Sequence, residues 1–180
     1  MDEVGRGCLA GPVVAGAVVL CDGGVEGVND SKKLSAKRRA LLEGEIKARC
    51  RWAVGIATVE EIDQINILQA TFLAMTRAVE ALGVDPSEVL VDGNRLPRWK
   101  YPARAIVGGD ALHPEISAAS IIAKEHRDRM MREAALLHPH YGWEKNAGYG
   151  TAQHMAALRA HGPTPFHRSS FAPIAQLRLI

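Results

Sequence analysis

The sequence predicts an α/β domain built on a mixed sheet. Three observations lead there. A run of small and β-branched residues comes early, later apolar runs alternate with long helix-periodic segments, and Gly, Pro and Asp punctuate the joins. The chain has 180 residues, 47% of them hydrophobic, which suffices for a core and fits one domain, or one domain with a small helical extension.

The elements follow in order. Gly11 to Cys21 has the composition of a buried strand, and Asp22-Gly23-Gly24 turns the chain. Ser35 is placed to cap a basic helix running to about Arg49. Trp52 to Val59 reads as the next strand. Thr58-Val59-Glu60-Glu61 has capping-box spacing and opens a long helix. Its stripe is Leu68, Phe72, Met75, Val79 and Leu82, and Gly83 stops it. Val89-Leu90-Val91 is a short buried strand that delivers Asp92 at its C-terminal end. Ala105-Ile106-Val107 repeats the pattern before Gly108-Gly109 and Asp110. A third helix is predicted from about Pro114 to Leu137, with proline in its first turn. Tyr141 to Gly150 reads as a loop, Thr151 to Ala160 as a short helix, and the rest as a basic tail.

Composition excludes several classes. Val13 to Leu20 is too short to cross a bilayer and is broken by Gly16, and no basic-then-apolar leader opens the chain, so no membrane partner is expected. Cys8, Cys21 and Cys50 are scattered without metal spacing, which fits reduced thiols, in the core or near the surface, of a cytoplasmic protein. A net charge of +2 permits nucleic-acid binding without demanding it.

The acidic residues carry the chemistry. An aspartate after a strand is commonly a turn former or a helix cap. Here Asp92 and Asp110 both follow apolar runs, so both are expected at one rim of the sheet, and Asp2-Glu3 opens the chain. Carboxylates gathered at one rim repel each other unless a cation neutralises them. Oxygen ligands of this kind suit Mg²⁺, and two such ions can hydrolyse a phosphodiester. One tension remains, because neighbours on a regular strand point to opposite faces. Asp2 and Glu3 reach one metal pair only if the strand ends or bulges there, or if a backbone carbonyl joins in.

Gly5-Arg6-Gly7 follows directly. Its glycines let the backbone approach a ligand, its arginine can grip phosphate, and contact with a 2′-hydroxyl there would separate RNA from DNA. An ordinary tight turn is the plain reading of the same residues. Tyr149, between Gly148 and Gly150, either stacks on a sugar or base or covers the core. Ser31-Lys32-Lys33, Lys37-Arg38-Arg39, the helix residues Lys124, Arg127, Arg129 and Arg132, and His167-Arg168 are basic segments. Each is either a solvated face or a phosphate contact. His113, three residues after Asp110, is a weak candidate for proton handling.

Over nearly its whole length the chain resembles bacterial ribonuclease HII, the type 2 ribonuclease H. The matching blocks are Asp2-Glu3-Val4-Gly5-Arg6-Gly7, Gly11-Pro12-Val13, Asp30-Ser31-Lys32-Lys33-Leu34-Ser35, Val91-Asp92-Gly93-Asn94 and Gly109-Asp110. Ile116 to Lys124, Arg127-Asp128, Gly148-Tyr149 and His167-Arg168-Ser169-Ser170-Phe171 complete them. The resemblance implies a ribonuclease H-like fold, a mixed five-stranded sheet flanked by helices. Residues 1–140 would form the catalytic core and 141–180 a helical extension and tail of the same domain. It implies catalytic, metal-binding carboxylates at Asp2, Glu3, Asp92 and Asp110, holding two Mg²⁺ or Mn²⁺ ions. It assigns substrate contacts to Gly5, Arg6, Gly7 and Tyr149, the last at the RNA–DNA junction, with Ser31, Lys32 and Lys33 beside them. The implied reaction cuts the RNA strand of RNA/DNA hybrids and cuts 5′ to ribonucleotides embedded in duplex DNA. It leaves 3′-hydroxyl and 5′-phosphate ends. A monomer is expected.

The chain departs from the pattern twice. Asn146-Ala147 stands where many relatives carry His-Lys, and only Met1 precedes Asp2-Glu3. The short start leads us to expect a frayed Asp2 with the α-ammonium beside it. Within the same fold, ribonuclease HIII and junction resolvases are the rivals; the former would bring an N-terminal domain for which there is no room. A catalytically silent hybrid binder is the rival from another class, opposed by the intact carboxylate set. Gln176 to Ile180 would be either a frayed terminus or a docking peptide.

Overall fold

The structure, a computed structural model, describes residues 1–29 and 31–177. Asp30, in one of the matching blocks, and residues 178–180 of the tail lie outside the described residues. Strand β1 (Asp2–Val4) pairs antiparallel with β2 (Val13–Val19), and β2 pairs antiparallel with β3 (Arg51–Ala57). Strands β4 (Val89–Asp92) and β5 (Ala103–Ile106) form a parallel pair. Met1 stitches the two groups together. Its amino group donates to the Leu90 carbonyl at 2.9 Å, and its carbonyl accepts from the Asp92 amide at 3.0 Å. That is the bond pattern of a parallel neighbour, so the strands lie side by side in the order β3-β2-β1-β4-β5. The mixed five-stranded sheet flanked by helices is therefore present.

The helices begin where their caps sit. Ser35 accepts from the Arg38 amide ahead of α1 (Ala36–Arg49). Thr58 and Glu61 complete a reciprocal capping box ahead of α2 (Val59–Ala81). Helix α2 is not continuous. Asn66 has φ 67° and ψ 163°, outside the helical region, and its Oδ1 accepts from the Leu68 and Gln69 amides to restart the helix. The unbroken stripe expected from Leu68 to Leu82 therefore belongs to the second stretch alone. A short helix, α3 (Gly109–Leu112), carries Asp110, and α4 (Pro114–Leu137) matches the expected third helix.

Alternation along β2 and β3 sends residues to two covered faces. Ala15, Ala17, Ala53 and Ala57 pack with Ala70, Ala74 and Ala78 of α2. Val18 packs on the other face with Leu42 and Ile46 of α1 and Ala119 and Ile122 of α4. Small residues allow close approach. A Cβ on Gly16 would strike the Ala119 carbonyl of α4, and one on Gly55 would strike the Ala74 carbonyl of α2.

The C-terminal part is more ordered than a loop and tail. It holds α5 (Trp143–Asn146), α6 (Ala152–His161), capped by Thr151, and α7 (Ala172–Leu177). Tyr141 and Trp143 are core residues, packed with Leu9, Ala10 and Met131. The sulfurs of Cys21 and Cys50, far apart in sequence, lie 2.7 Å from each other. The expected fraying of Asp2 is not found. Asp2 is 6% exposed and stands opposite Gly16 in the β1–β2 ladder, because the Met1 bonds hold the strand's first residue between β2 and β4.

Candidate active site

Register places the carboxylates. On β1, Asp2 lies opposite Gly16, on the face covered by α4, and Glu3 lies opposite Ala15, on the face covered by α2. The strand does not bulge, so the two side chains diverge. What they share is Asp92, the last residue of β4. One oxygen each from Asp2, Asp92 and Asp110 lie within 4.8 Å of one another. Glu3 stands in the wall of a cleft of about 300 Å³ that Asp92 also lines, together with Arg6, Asn94, Thr71 and Met75. All four predicted carboxylates therefore face one region, three as a tight cluster and Glu3 across Asp92 from it.

Neighbouring groups hold the cluster in place. The Gly109 amide donates to Asp92 Oδ1 at 2.7 Å, which ties the end of β4 to the start of α3. The Ser117 hydroxyl donates to the Asp110 carbonyl at 2.7 Å. The Glu3 amide donates to Asp2 Oδ1 at 2.7 Å, and the Ser120 hydroxyl also bonds the Asp2 carboxylate. Burial, with the charges of Glu3 and Asp92 added, raises Asp2 from the ordinary range to about 7. Burial also raises Glu3, opposed by Arg6, whose Nη1 lies 3.3 Å from its carboxylate. The Met1 ammonium is pushed down to about 6 by burial, against the pull of Asp2 and Asp92. A carboxylate raised by burial and by like-charged neighbours is a site short of positive charge. Three converging carboxylate oxygens are the donor set of a hard divalent cation, so the residues fit such an ion.

The recognition candidates gather beside this cluster. Gly5 has φ 96° and lies against the Arg127 side chain, where no Cβ fits. A Cβ on Gly7 would stand 3.8 Å from the Tyr149 ring, so the Gly5–Gly7 turn and Tyr149 adjoin. Tyr149 is 44% exposed, and its partial burial raises the phenol. Lys32 and Lys33 are exposed, and the Lys32 charge acts on the Tyr149 phenol. Ser31 is buried, its hydroxyl 2.6 Å from that of Ser120, the residue that bonds Asp2. It stands behind the cluster rather than on the surface.

Three of the four basic residues on α4 are held by protein partners, and Arg132 alone of them is exposed. Arg129 forks onto Glu43 at 2.9 and 2.7 Å, and Lys124 pairs with Asp128 at 2.8 Å. Arg127 is wholly buried. Arg39 of the α1 stretch bonds Glu125 at 2.8 Å. The tail pair His167-Arg168 is also interior. His113 stands at the start of α4, where its carbonyl accepts from the Ile116 and Ser117 amides, and its ring makes no capping bond.

Sequence reasoning missed the residues that hold the recognition candidates. His167 Nδ1 accepts from the Thr164 amide at 2.9 Å, which leaves its Nε2–H to donate to His154 Nε2 at 3.0 Å. His154 then donates through Nδ1 to the Tyr149 carbonyl at 2.9 Å. Both imidazoles are neutral, with burial lowering His154 and driving His167 down to about 4. No local pattern marks this relay. Ser120 lies in the matching block Ile116 to Lys124, within the small-residue run Ser117-Ala118-Ala119-Ser120, but neither feature gave it a role.

The chain is similar to known proteins in both sequence and fold. The family model described as Ribonuclease HII matches residues 1–174. The chain is 74% identical over 180 residues to the Ribonuclease HII of Sphingopyxis alaskensis, covering all of this chain and 91% of that one. Among solved structures, the ribonuclease H2 of Pyrococcus horikoshii superposes with TM-score 0.78 at 24% identity, over 99% of this chain and 95% of that one, a likeness of fold. The RNase HII in the PCNA:RNase HII complex of Archaeoglobus fulgidus gives TM-score 0.77 at 27% identity, over 93% and 91%.

Proposed function

The chain belongs to the ribonuclease HII family and is an endoribonuclease of the ribonuclease H type; from that premise we propose how it works and what it cuts. The substrates are the RNA strand of RNA/DNA hybrids and single ribonucleotides embedded in duplex DNA, cut on their 5′ side. The products carry 3′-hydroxyl and 5′-phosphate ends. The observation that carries this reading is the convergence of Asp2, Asp92 and Asp110, with Glu3 across Asp92.

Asp2, Asp92 and Asp110 would hold one divalent cation, and Glu3 and Asp92 a second, with Mg²⁺ or Mn²⁺ suited to all-oxygen ligands. When bound, such ions make water a stronger acid and neutralise charge on the attacked phosphodiester. The protein's own contribution is placement. The Gly109 amide fixes one oxygen of Asp92, Ser120 and the Glu3 amide orient Asp2, and Ser117 anchors the backbone at Asp110. The Gly5–Gly7 turn, whose Arg6 lines the cleft with Glu3 and Asp92, and Tyr149, which adjoins Gly7, would receive the ribose and the base beside it. Lys32 and Lys33 would meet phosphate. The protein acts as a monomer on nucleic acid, and among the described residues no helix is long and apolar enough to cross a membrane.

The test is cleavage of a DNA duplex holding one ribonucleotide, end-labelled on the cut strand. With Mg²⁺ or Mn²⁺ we expect a single cut 5′ to the ribonucleotide and a product that a polymerase extends. With EDTA we expect none. Metal-independent cutting, or equal cutting of an all-DNA duplex, would reject the reading.

A further inference from the structure

Arg168, like Arg127, is a fully buried cation outside the carboxylate cluster, and it is the one whose donors reach the carbonyls of the Gly5–Gly7 turn. It is 0% exposed and forms no ion pair among the described residues. Its guanidinium donates only to backbone carbonyls. Nε reaches Gly11 at 2.9 Å, Nη1 reaches Arg6 at 2.9 Å, and Nη2 reaches Gly5 at 2.7 Å and Gly11 at 2.8 Å. The Phe171 ring lies 5.1 Å away. The carboxylate whose field reaches it, Asp63, is occupied by the amides and hydroxyls of Ser169 and Ser170. Burying a cation against carbonyls alone is costly, and a neutral side chain would fill the space at lower cost. A planar fork that collects carbonyls from separate residues is what arginine supplies and no neutral residue does.

The consequence lies on the opposite side of the turn. A trans peptide points its C=O and the following N–H in opposite directions. With the Gly5 and Arg6 carbonyls drawn inward to Arg168, the Arg6 and Gly7 amides are turned outward. Neither amide donates to a protein acceptor among the described residues, and Arg6 and Gly7 are exposed next to the Tyr149 ring. Two outward amides in succession form a concave donor pair suited to an oxygen-rich ligand.

We infer that Arg168 is a positioning residue for ribonucleotide recognition, whose buried fork sets the Gly5–Gly7 turn so that the Arg6 and Gly7 amides face the nucleic acid. The inference rests on the proposed reading that this turn meets the ribose. Arg168 does not touch the substrate and acts through the turn. The tail segment that looks like a phosphate-binding patch in sequence is thereby a scaffold for the recognition loop.

The test measures binding in EDTA by fluorescence anisotropy, comparing a duplex holding one ribonucleotide with the matching all-DNA duplex. For folded Arg168→Gln the preference for the ribonucleotide should fall about tenfold toward parity, the scale of losing a placed hydrogen bond. Affinity for the all-DNA duplex should stay within about twofold, which a merely structural loss would not spare. Arg168→Lys, which keeps the charge but not the fork, should fall between, and it serves if the glutamine variant does not fold. Gly7→Pro, which removes one outward amide, separates the two ideas. If Gly7→Pro loses the preference and the folded Arg168 variants keep it, the role of Arg168 is overturned alone. If the wild type has no preference, or Gly7→Pro retains it, the reading of the turn fails and the inference with it.

Discussion

The Asp92 amide donates to the Met1 carbonyl at 3.0 Å, which locks the last residue of β4 beside the first residues of β1. That one pairing brings Asp92 to Asp2 although most of the chain's first half separates them. Because Asp92 is shared by the aspartate cluster and the cleft holding Glu3, it is the residue whose charge the site can least lose. Asp92→Asn should lower turnover on a hybrid duplex on the order of 10³-fold, while binding of uncut hybrid in EDTA changes by less than about threefold. Full activity in that variant would remove Asp92 from the mechanism.

Asp2 makes apo stability depend on pH. Its folded pKa, about 7, lies above the ordinary value of 3.8. A raised carboxyl stabilises the fold while protonated in the folded state, so its contribution is present at low pH and lost as pH rises through 7. In EDTA, Asp2→Asn should therefore gain stability relative to wild type between pH 5 and 8, by about 2–4 kcal/mol at most. The Met1 ammonium, lowered to about 6, works in the opposite direction over pH 6–8, so only the difference between the two proteins isolates Asp2. Saturating Mg²⁺ should shrink that difference. Parallel melting curves for the two proteins across pH, with or without metal, would refute the account of Asp2.

Local chemistry made much of this fold legible. Ser35, Thr58 with Glu61, and Pro114 announce their helices through neighbours within one turn, and each helix starts there. Asp92 and Asp110 could be placed at one rim because each follows a short apolar run. Asn66 could not be read, because one residue outside the helical region leaves the surrounding periodicity intact. His167 and Arg168 were misread as a basic tail. Nothing near them in sequence reveals that their partners are His154 and carbonyls at the opposite end of the chain. The burial of Ser31 against Ser120 was not legible for the same reason, since it is a tertiary fact. Charge is a weak guide to exposure when backbone carbonyls can serve as partners.

Ser120 tunes the cluster. Its hydroxyl bond to the Asp2 carboxylate favours the ionised form, so it works against the burial that raises Asp2. Ser120→Ala should raise Asp2 further and move the acid limb of the activity profile upward by about half to one pH unit. The check is kcat/KM on the single-ribonucleotide duplex from pH 5.5 to 9 at fixed Mg²⁺. An unmoved limb would mean that Asp2 does not set it.

The histidine relay predicts acid sensitivity around Tyr149. His167 is held at about 4, below the ordinary 6.5, because it is buried and faces His154. The unfolded chain takes up a proton between those values that the folded chain refuses. Stability from this group is thus complete above pH 6.5 and lost as pH falls toward 4. His167→Gln should be less stable than wild type at pH 7.5, by about 1–3 kcal/mol, with the gap narrowing as pH falls to 4.5. Thermal melts of both proteins in EDTA at the two pH values decide it, and a constant gap would place the buried-neutral assignment in error.

The central claim is that Asp2, Asp92 and Asp110 together form a seat for a divalent cation. Titration of Mn²⁺ into the protein, with free ion followed by electron paramagnetic resonance, measures this without substrate or turnover. Wild type should take up Mn²⁺, and Asp2→Asn, Asp92→Asn and Asp110→Asn should each weaken that uptake by about tenfold or more. Uptake by folded Asp92→Asn and Asp110→Asn equal to wild type would contradict the claim.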